Sequence, residues 1–580
     1  MPVIKLSAFI GEQPLILPHL LPETAATSAW NVRMDDGGLT PINKSVLDGG
    51  IAVPGAQSLY RHGEDWLSWT GNVHAVPGPV SADRLYLTGD GAPKMRVDGV
   101  EYPLALAAPT AAPTVTVTGT GTGDTVSRTY VWTWVTDFGE ESAPSPTSTI
   151  IDWKPGQAVT LSGFSAAPAG RNITKQRIYR SQTGSSGTYL YFIAERAATA
   201  ANFADTVAVD GFNEALPSAG WTPPPDNLSG LISMPNGMMA AFAGRDVYFC
   251  EPWRPHAWPD RYSMTCDSDV VGLASIGSIL VVMTKAHPYL MSGSTPDTMQ
   301  SQKLEAKLPC INARGIVDLG FAVCYPSNLG LVVVRGDGSI DIVTRQMFNA
   351  QSWLALNPKT ALGAAHNDLY VMFYETAAPD GGIVRGALII NVQGTPFLSR
   401  SSEYAEAVYF SDEDTALYFV PAGDTKIYRF DAPTGASEIY SWRSKEFLLS
   451  QPVTFGAVLV DGARGASSAD AANRQAEAEA VAASNEQIIA GDMLNAAFNE
   501  HVFNQYPVGG DALAEIPEYD RVTVGIYADG VLVRSINTLG KIERLPAGRK
   551  ARKWEIAISG NQSVGQLLMA STVDEIRSQG

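Results

Sequence analysis

Short apolar runs bounded by Gly, Pro, Asn and Asp dominate this chain, and the clearest of them alternate with a period of two. Tyr130–Thr136 alternates over its whole length, and Val522–Tyr527 leads directly into an Asp-Gly hairpin signal that opens an expected C-terminal β module, 520–580. Residues 20–31 instead predict a short helical turn, followed by a Gly-rich hairpin. The pattern as a whole predicts a mainly β fold.

Apolar strand pairs recur at a nearly constant spacing between residues 230 and 445. They begin near Gly237, Gly277, Gly320, Gly363 and Ala405. Their separations are 40, 43, 43 and 42 residues. A period of about 40–45 residues with several strands per unit is typical of β-propeller blades. We therefore expect a β-propeller over 223–460, completed by strands from an N-terminal segment, 1–107.

Pro-rich flanks separate residues 108–222 from the rest of the chain. The segment between them carries about seven short strand patterns with regular turns, which is typical of an immunoglobulin- or fibronectin-III-like β-sandwich. We expect this sandwich to be inserted between the N-terminal segment and the propeller. A fold of this kind indicates no function by itself.

Residues 461–519 interrupt the β pattern and predict a helical insertion. Their central part, 466–505, is rich in Ala, Glu and Gln and contains no Pro, a composition that favours helix. Its second half spaces apolar residues four to five apart, among them Ile489, Leu494 and Phe498. These residues predict one apolar stripe that needs a surface to pack on.

Composition and charge narrow the possible functions. The chain has 580 residues, of which 45% are hydrophobic and 17% charged, and its net charge is -18. The apolar share argues against disorder, and the acidic balance argues against binding nucleic acid through a basic face. No apolar stretch approaches the roughly 18 residues of a membrane-spanning helix, so we expect no membrane insertion. The four cysteines form no CxxC pair, which predicts buried free thiols.

Several motifs that suggest chemistry are better explained as turns. Arg335-Gly336-Asp337 lies between apolar runs that predict a hairpin rather than an integrin-binding loop. The Gly-rich stretch 119–123 lacks the Lys-Ser/Thr of a phosphate loop, so it predicts a strand connection. Asp412–Asp414 and Asp431 are expected in turns, because the repeated Asp boxes of sialidase-type propellers are missing.

The sequence predicts no catalytic, cofactor-binding or metal-binding residues, and hence no cofactor and no enzymatic activity. Its seven histidines are scattered, and none forms HxH, HExxH or a His–carboxylate pair at helical spacing. His256 lies in an aromatic loop, Trp253–Pro259, that could stack a sugar or a base, but we expect it to pack its own side chains. The basic cluster Arg549–Lys553 is expected at a solvated strand end or in an intersubunit ion-pair row rather than on DNA.

Three further groups of residues follow one another along the chain. They are Phe9-Ile10-Gly11 with Leu20-Leu21-Pro22, Ala29, Asn31 and Gly38-Leu39-x-Pro41; Val247–Phe249 followed by Arg254-Pro255-His256-Ala257-Trp258-Pro259; and Arg544–Arg549 with Trp554-Glu555-Ile556, Gly560, Val564 and Glu575-Ile576. In this order they resemble the podovirus tail nozzle and packaged-DNA-stabilisation (tail tubular) protein family. The resemblance covers nearly the whole chain.

The resemblance implies a β-propeller-based subunit of a homo-oligomeric ring, expected to be a hexamer, below the phage portal and its adaptor. Such a ring would extend the DNA exit channel and help retain and eject genomic DNA without sequence-specific binding. Its implied partners are the tail adaptor, portal-proximal proteins and tail fibres or spikes. Its implied location is the virion tail, after synthesis in the host cytoplasm. Alternatives are a receptor-binding or other tail accessory virion protein, or a polysaccharide-acting propeller enzyme.

Overall fold

The computed structural model describes residues 3–81, 83–184, 187–208, 214–378, 380–462, 476, 478–489, 513–514 and 520–579. Strand residues, nearly all of them paired antiparallel, far outnumber helical residues in this part of the chain, which confirms the prediction of a mainly β protein. Within the described ranges, no helix is long and apolar enough to cross a bilayer.

The strands of the N-terminal third fall into three groups. The first six are β1 (Ile4–Leu6), β2 (Ile10–Glu12), β3 (Ala25–Trp30), β4 (Val32–Arg33), β5 (Thr40–Pro41) and β6 (Val46–Ile51). A hairpin and a sheet follow, with β7 (Ser58–His62), β8 (Asp65–Trp69), β9 (His74–Pro77), β10 (Arg84–Thr88), β11 (Lys94–Val97) and β12 (Val100–Pro103). The third group is β13 (Thr114–Thr118), β14 (Val126–Arg128), β15 (Tyr130–Thr136), β16 (Ile151–Trp153), β17 (Ala158–Ser162), β18 (Ile173–Gly184), β19 (Gly187–Ala197) and β20 (Phe203–Asp205).

The remaining strands continue in the same short pattern. The first nineteen of them are β21 (Ser229–Ser233), β22 (Met239–Ala243), β23 (Asp246–Phe249), β24 (Met264–Thr265), β25 (Val270–Ile276), β26 (Ile279–Thr284), β27 (Tyr289–Ser292), β28 (Gln300–Lys303), β29 (Val317–Asp318), β30 (Ala322–Ser327), β31 (Gly330–Arg335), β32 (Ile340–Ile342), β33 (Leu362–His366), β34 (Leu369–Ala377), β35 (Ile383–Asn391), β36 (Phe397–Ser401), β37 (Ala405–Ser411), β38 (Ala416–Pro421) and β39 (Lys426–Arg429). The last eight are β40 (Tyr440–Ser444), β41 (Phe447–Val453), β42 (Ala457–Gly462), β43 (Val522–Ala528), β44 (Val531–Ile536), β45 (Ile542–Arg544), β46 (Ala551–Gly560) and β47 (Val564–Ala570).

Helices are few and short. They are α1 (Ala350–Ala355), α2 (478–489) and α3 (Val573–Gln579), with 3-10 turns at Asp260–Tyr262, Pro296–Thr298, Ala313–Gly315 and Val343–Gln346.

Five four-stranded antiparallel sheets, four antiparallel strands of a larger sheet and one two-stranded hairpin form what we call the sheet series. Five of the four-stranded units use consecutive strands, namely β9–β12, β21–β24, β25–β28, β29–β32 and, within the larger sheet, β33–β36. The sixth joins β37–β39 to β6, which places Ile51 opposite Lys426 although the two are far apart in sequence. The hairpin is β7–β8. Each of the five strand pairs predicted from the regular spacing corresponds to two neighbouring strands of one of these sheets.

Apolar cores on both faces join each sheet to its two neighbours. In β31, Leu331 and Val333 belong to a core shared with β34, whereas Val332 and Val334 belong to a core shared with β26. Because both faces are covered, the apolar run in this strand is continuous rather than alternating. The same division of alternate residues between two cores recurs in β10, β22, β26, β34 and β38.

The hairpin β7–β8 connects the last sheet of the series to the first. On one side Leu59 and Trp66 pack with Tyr418 of β38. On the other side Tyr60 and Leu67 pack with residues of β10. Each of the seven members therefore contacts two neighbours, and the series closes on itself.

The two ends of the chain form one β module beside the sheet series. Sheet β33–β36 continues through β2, β3, β40, β46, β43 and β44, and β41 also pairs with β46. A second sheet, in the order β1-β47-β42-β45, shares with it a core that contains Trp442 and Trp554. The N-terminal strands β1 and β3 thus pair with the C-terminal strands β47 and β40, a pairing that the sequence did not predict.

The short helical turn predicted for residues 20–31 is wrong, because Ala25–Trp30 is strand β3. Ala26 of this strand lies opposite Ser444 of β40, and Ala25, Ala26 and Ala29 are buried. The small side chains fit in the interior of a sheet that is covered by other strands, and this tertiary packing outweighs the helix propensity of alanine. The Gly-rich hairpin predicted next is confirmed, since β4 pairs with β5.

Residues 114–205, which we call the inserted segment, fold as two small facing sheets. Sheets β13-β17-β20 and β15-β18-β19 enclose a core that includes Trp132, Trp134 and Leu161, and β14 pairs with β16 beside them.

Helix α2 confirms helical structure for part of the predicted insertion. Ala478 and Asn485, seven residues apart on one face, are buried. The side chain of Asn485 donates to the carbonyl oxygen of Ala514 at 2.7 Å and accepts from its amide at 2.9 Å. Of the predicted apolar stripe, Ile489 is about half exposed, and Leu494 and Phe498 lie outside the described residues.

Candidate functional site

Most of the motifs singled out in the sequence lie in turns, as predicted. Arg335-Gly336-Asp337 lies at the turn between β31 and β32, residues 119–123 connect β13 to β14, and Asp412–Asp414 form the turn between β37 and β38. All four cysteines are buried free thiols. Within the described ranges, no group of three His, Cys, Asp or Glu residues is arranged to hold a metal ion.

Asp431 also lies in a turn, but it is buried and paired rather than solvated. Its Oδ2 lies 3.0 Å from Arg33 Nη1 and 3.2 Å from His366 Nε2, and its Oδ1 accepts from the Asn43 amide at 2.8 Å. This His–carboxylate pair escaped the sequence analysis because its members are far apart along the chain. The adjoining pocket of about 20 Å³ has room for about one water molecule.

A larger pocket of about 210 Å³ lies where β7, β33 and β37 begin, and Arg314 lines it. The Arg314 guanidinium donates to the carbonyl oxygens of Gln57, at 3.1 Å, and Glu406. Burial lowers the pKa of Arg314. The side chain therefore fastens neighbouring strands of the sheet series to each other.

The aromatic loop, Trp253–Pro259, follows β23 and has a buried half and an exposed half. In the buried half, His256 is 3% exposed and Trp258 is 1% exposed. The Trp258 indole Nε1 donates to the Pro255 carbonyl at 2.7 Å, and the His256 ring meets Trp221 edge to face at 5.6 Å. The prediction that His256 packs within the protein is confirmed.

In the exposed half, Trp253 is 52% exposed and has a φ of 61°. A bulky residue in the left-handed region is a genuine outlier that costs on the order of 1–3 kcal/mol. One face of the indole lies on Gly237, where an added Cβ would come within 2.5 Å of the ring. Since one face is covered in this way, the exposed area belongs largely to the opposite face, and glycine is required at position 237.

Three serines, which we call the serine ladder, hold the part of the inserted segment that contacts this loop. After β15 the chain turns back, and the amides of Ser142, Ser145 and Ser148 donate to carbonyl oxygens of that strand at 2.8–2.9 Å. Their hydroxyl groups in turn accept from the amides of alternate β15 residues. The ladder fixes the start of this returning stretch, where Glu140 and Glu141 are buried.

The inserted segment meets the sheet series through a set of residues that we call the junction cluster: Arg84, Tyr86, Glu140, Arg171 and His256. Arg171 Nη2 lies 2.7 Å from Glu140 Oε2, and Arg84 Nη1 lies 4.0 Å from Glu140 Oε1. Arg171 Nη2 also donates to the Leu104 carbonyl at 3.2 Å, just beyond the sheet β9–β12. His256 Nε2 lies 2.9 Å from the Glu141 carbonyl oxygen.

Burial controls the electrostatics of the junction cluster. It lowers the pKa of His256 to about 4, against the opposing effect of the nearby Glu140 carboxylate, so the imidazole is neutral at pH 7. Burial also lowers the pKa of Arg171, again opposed by Glu140, and it raises the pKa of Tyr86 to about 12. The cluster thus holds a carboxylate and two guanidinium groups away from solvent, and removing one partner would leave an uncompensated buried charge.

The sequence identified only one member of this cluster, His256. Arg84, Glu140 and Arg171 come from three different strand connections or strand ends, and no local spacing links them. The sequence feature that could have indicated these three residues is the position of a charged residue next to a strongly apolar strand.

The basic cluster Arg549–Lys553 lies at the start of β46, as expected for a strand end. Lys553 Nζ forms ion pairs with Glu446 at 2.5 Å and Glu555 at 3.4 Å. These partners lie within the same chain.

No protein-family model matches the chain, and no curated protein matches it significantly. Among solved structures, Myxococcus xanthus glutaminyl cyclase aligns with a TM-score of 0.21 and 10% identity, over 35% of this chain and 89% of that one. An exo-beta-1,3-galactanase from Phanerochaete chrysosporium aligns at 0.19 and 10%, over 60% and 98%. Hsv2 from Kluyvelomyces marxianus aligns at 0.19 and 11%, over 46% and 69%. Similarity at this level establishes no shared activity.

Acidification should destabilise the protein through His256. The unfolded histidine, with a pKa near 6.5, binds a proton as the pH falls from 7 to 5, whereas the buried ring with a pKa of about 4 does not. The unfolded state therefore binds more protons in this window, and the free energy of unfolding should fall by about 2 kcal/mol. Urea denaturation at both pH values measures the loss.

His256→Gln should remove most of this pH-dependent loss, whereas the control His19→Gln, at an exposed site, should retain it. An equal loss in the parent and in His256→Gln would show that another group is responsible.

Proposed function

We propose that this chain is a structural subunit of a short-tailed bacteriophage tail. Copies of it would form a ring-shaped nozzle or tube that extends the DNA exit channel below portal and adaptor and helps retain and eject the genome. The order of the three residue groups that resemble podovirus tail nozzle proteins carries the proposal. We also propose that the protein is a component of the virion and that it is not an enzyme.

We infer further that the sheet series is a β-propeller. Its members contact one another in chain order, and its last four-stranded sheet takes its outer strand, β6, from the other end of the chain. The inserted segment, taken as an immunoglobulin- or fibronectin-III-like sandwich, would project from the propeller between the sheets β9–β12 and β21–β24. A rigid, closed scaffold with a docked side module suits an assembly protein.

The charge of the chain supports a channel role. Each subunit carries a net charge of -18, and a hexamer would carry six times that. Acidic groups along a channel would repel the phosphate backbone and let DNA slide without sequence-specific binding. The proposed protein partners are the tail adaptor, portal-proximal proteins and tail fibres or spikes.

The purified protein should form a closed ring. Native mass spectrometry and negative-stain electron microscopy should detect a hexamer with a central opening wide enough for duplex DNA. A monomer at all concentrations, with no ring in the presence of the matching portal and adaptor, would contradict the proposal.

A second candidate function, contact with a cell-surface glycan, is favoured by Trp253. Its exposed indole face is flat and is held in a strained backbone conformation, which is typical of functional positions. The nearby rim is polar, since Asn236 beside Gly237 donates to the Ser294 carbonyl at 2.9 Å and Arg254 is exposed. A flat aromatic face with hydrogen-bonding groups around it suits the apolar face and hydroxyl groups of a sugar ring.

If Trp253 contacts glycan, Trp253→Ala should weaken binding of the protein to a glycan array by at least about fivefold, because a stacked aromatic anchor contributes more than about 1 kcal/mol. Leu448→Ala, at an exposed apolar residue of the terminal module, serves as the control. Absence of glycan binding by the parent, or equal binding by Trp253→Ala, would exclude this role.

A further inference from the structure

Four buried polar atoms of the junction cluster have no hydrogen-bond partner in the described part of the chain. They are Tyr86 Oη, Glu140 Oε1, Arg171 Nε and His256 Nδ1. The side chains of Glu140, Arg171 and His256 are all more than nine-tenths buried. Arg84 lies next to the Tyr86 hydroxyl group and can only donate to its oxygen, so the hydroxyl hydrogen still has no acceptor. Buried polar atoms are almost always satisfied, so four such atoms in one cluster require an explanation.

The roles of these atoms follow from their partners. The Glu141 carbonyl oxygen can only accept, so His256 Nε2, 2.9 Å away, carries the hydrogen. In a neutral imidazole the other nitrogen, Nδ1, is then an acceptor. It lies 3.8 Å from Glu140 Oε1, which is also an acceptor. Two acceptors thus lie near each other, and neither has a donor within hydrogen-bonding distance.

The other two unpaired atoms are hydrogen-bond donors. Arg171 Nε can only donate, and the Tyr86 hydroxyl group is able to donate. Two acceptors and two donors are the set that one water molecule satisfies, because water donates two hydrogen bonds and accepts two. Buried waters in proteins typically make about three such bonds to otherwise unsatisfied groups.

We propose that the junction cluster binds one internal water molecule, which donates to His256 Nδ1 and Glu140 Oε1 and accepts from Tyr86 Oη and Arg171 Nε. This water joins three parts of the fold: strand β10 of the sheet series, the inserted segment and the aromatic loop. It completes the polar network that holds the inserted segment in one orientation.

Protonation of His256 is the alternative to a water molecule between the two acceptors. It would make His256 an imidazolium ion that donates directly to Glu140. The charged groups around the ring are Glu140, Arg171 and Arg254, of which only the first favours the imidazolium form. Burial and the two guanidinium groups disfavour it, so at neutral pH a neutral donor is required, and water provides one.

Tyr86→Phe separates the two arrangements by its effect on stability. A hydroxyl group that is bonded to the water contributes to folding, so its removal should lower the folded-to-unfolded ratio about fivefold in urea denaturation at pH 7.5. A hydroxyl group with no partner is a burden, and its removal would leave stability unchanged or raised. Tyr325→Phe calibrates the measurement, since the Tyr325 hydroxyl donates directly to the Leu308 carbonyl at 2.9 Å.

A high-resolution crystal or cryo-electron-microscopy map provides the direct test. The proposal predicts a density peak within hydrogen-bonding distance of both His256 Nδ1 and Glu140 Oε1 in the parent protein. Unchanged or increased stability of Tyr86→Phe overturns the proposal. A well-resolved map without that peak also overturns it, whatever the result for stability.

Discussion

Burial of both faces of each sheet is the constraint on which the rest of this structure depends. A four-stranded sheet whose alternate residues are apolar on both sides, as in β31, must be covered on both sides. A linear row of such sheets would leave two apolar faces in water at its ends. The chain avoids this by closing the series with the hairpin β7–β8, which contributes Tyr60 and Leu67 on one side and Leu59 and Trp66 on the other.

Closure also explains why the ends of the chain are interwoven. Strand β6 pairs with β39, and β1 and β3 pair with β47 and β40, so the N-terminal residues cannot leave without opening three sheets. Asp431, buried between Arg33 and His366, adds an ionic fastening at the same place. A subunit locked in this way suits a part that must stay folded while a genome under pressure lies behind it, which is the role proposed here.

Local patterns predicted the parts of the fold that depend on local physics. The continuous apolar runs, the Asp-Gly turns and the regular spacing gave the strand pairs of the sheet series. The helical turn predicted for the segment that contains Ala25–Trp30 is wrong, because pairing with strands far away in sequence, such as that of Ser444, overrides the helix propensity of alanine. The junction cluster could not be predicted for the same reason, since Glu140, Arg171 and His256 meet only after the inserted segment has docked. Of the aromatic loop, the sequence indicated the packing of His256 but not the exposure of Trp253, which depends on Gly237 lying beneath it.

A disulfide between β6 and β39 would test the closure of the sheet series most directly. Ile51 and Lys426 lie opposite each other in an antiparallel pair, at a separation that a disulfide can span, and both are exposed. The four native cysteines are buried free thiols and should not compete. The double variant Ile51→Cys/Lys426→Cys should form an intrachain disulfide under mild oxidation and unfold at a higher temperature than either single variant. If the folded double variant keeps both thiols reduced, or forms only links between chains, β6 does not pair with β39, the hairpin β7–β8 that follows it is not held beside β38, and the account fails.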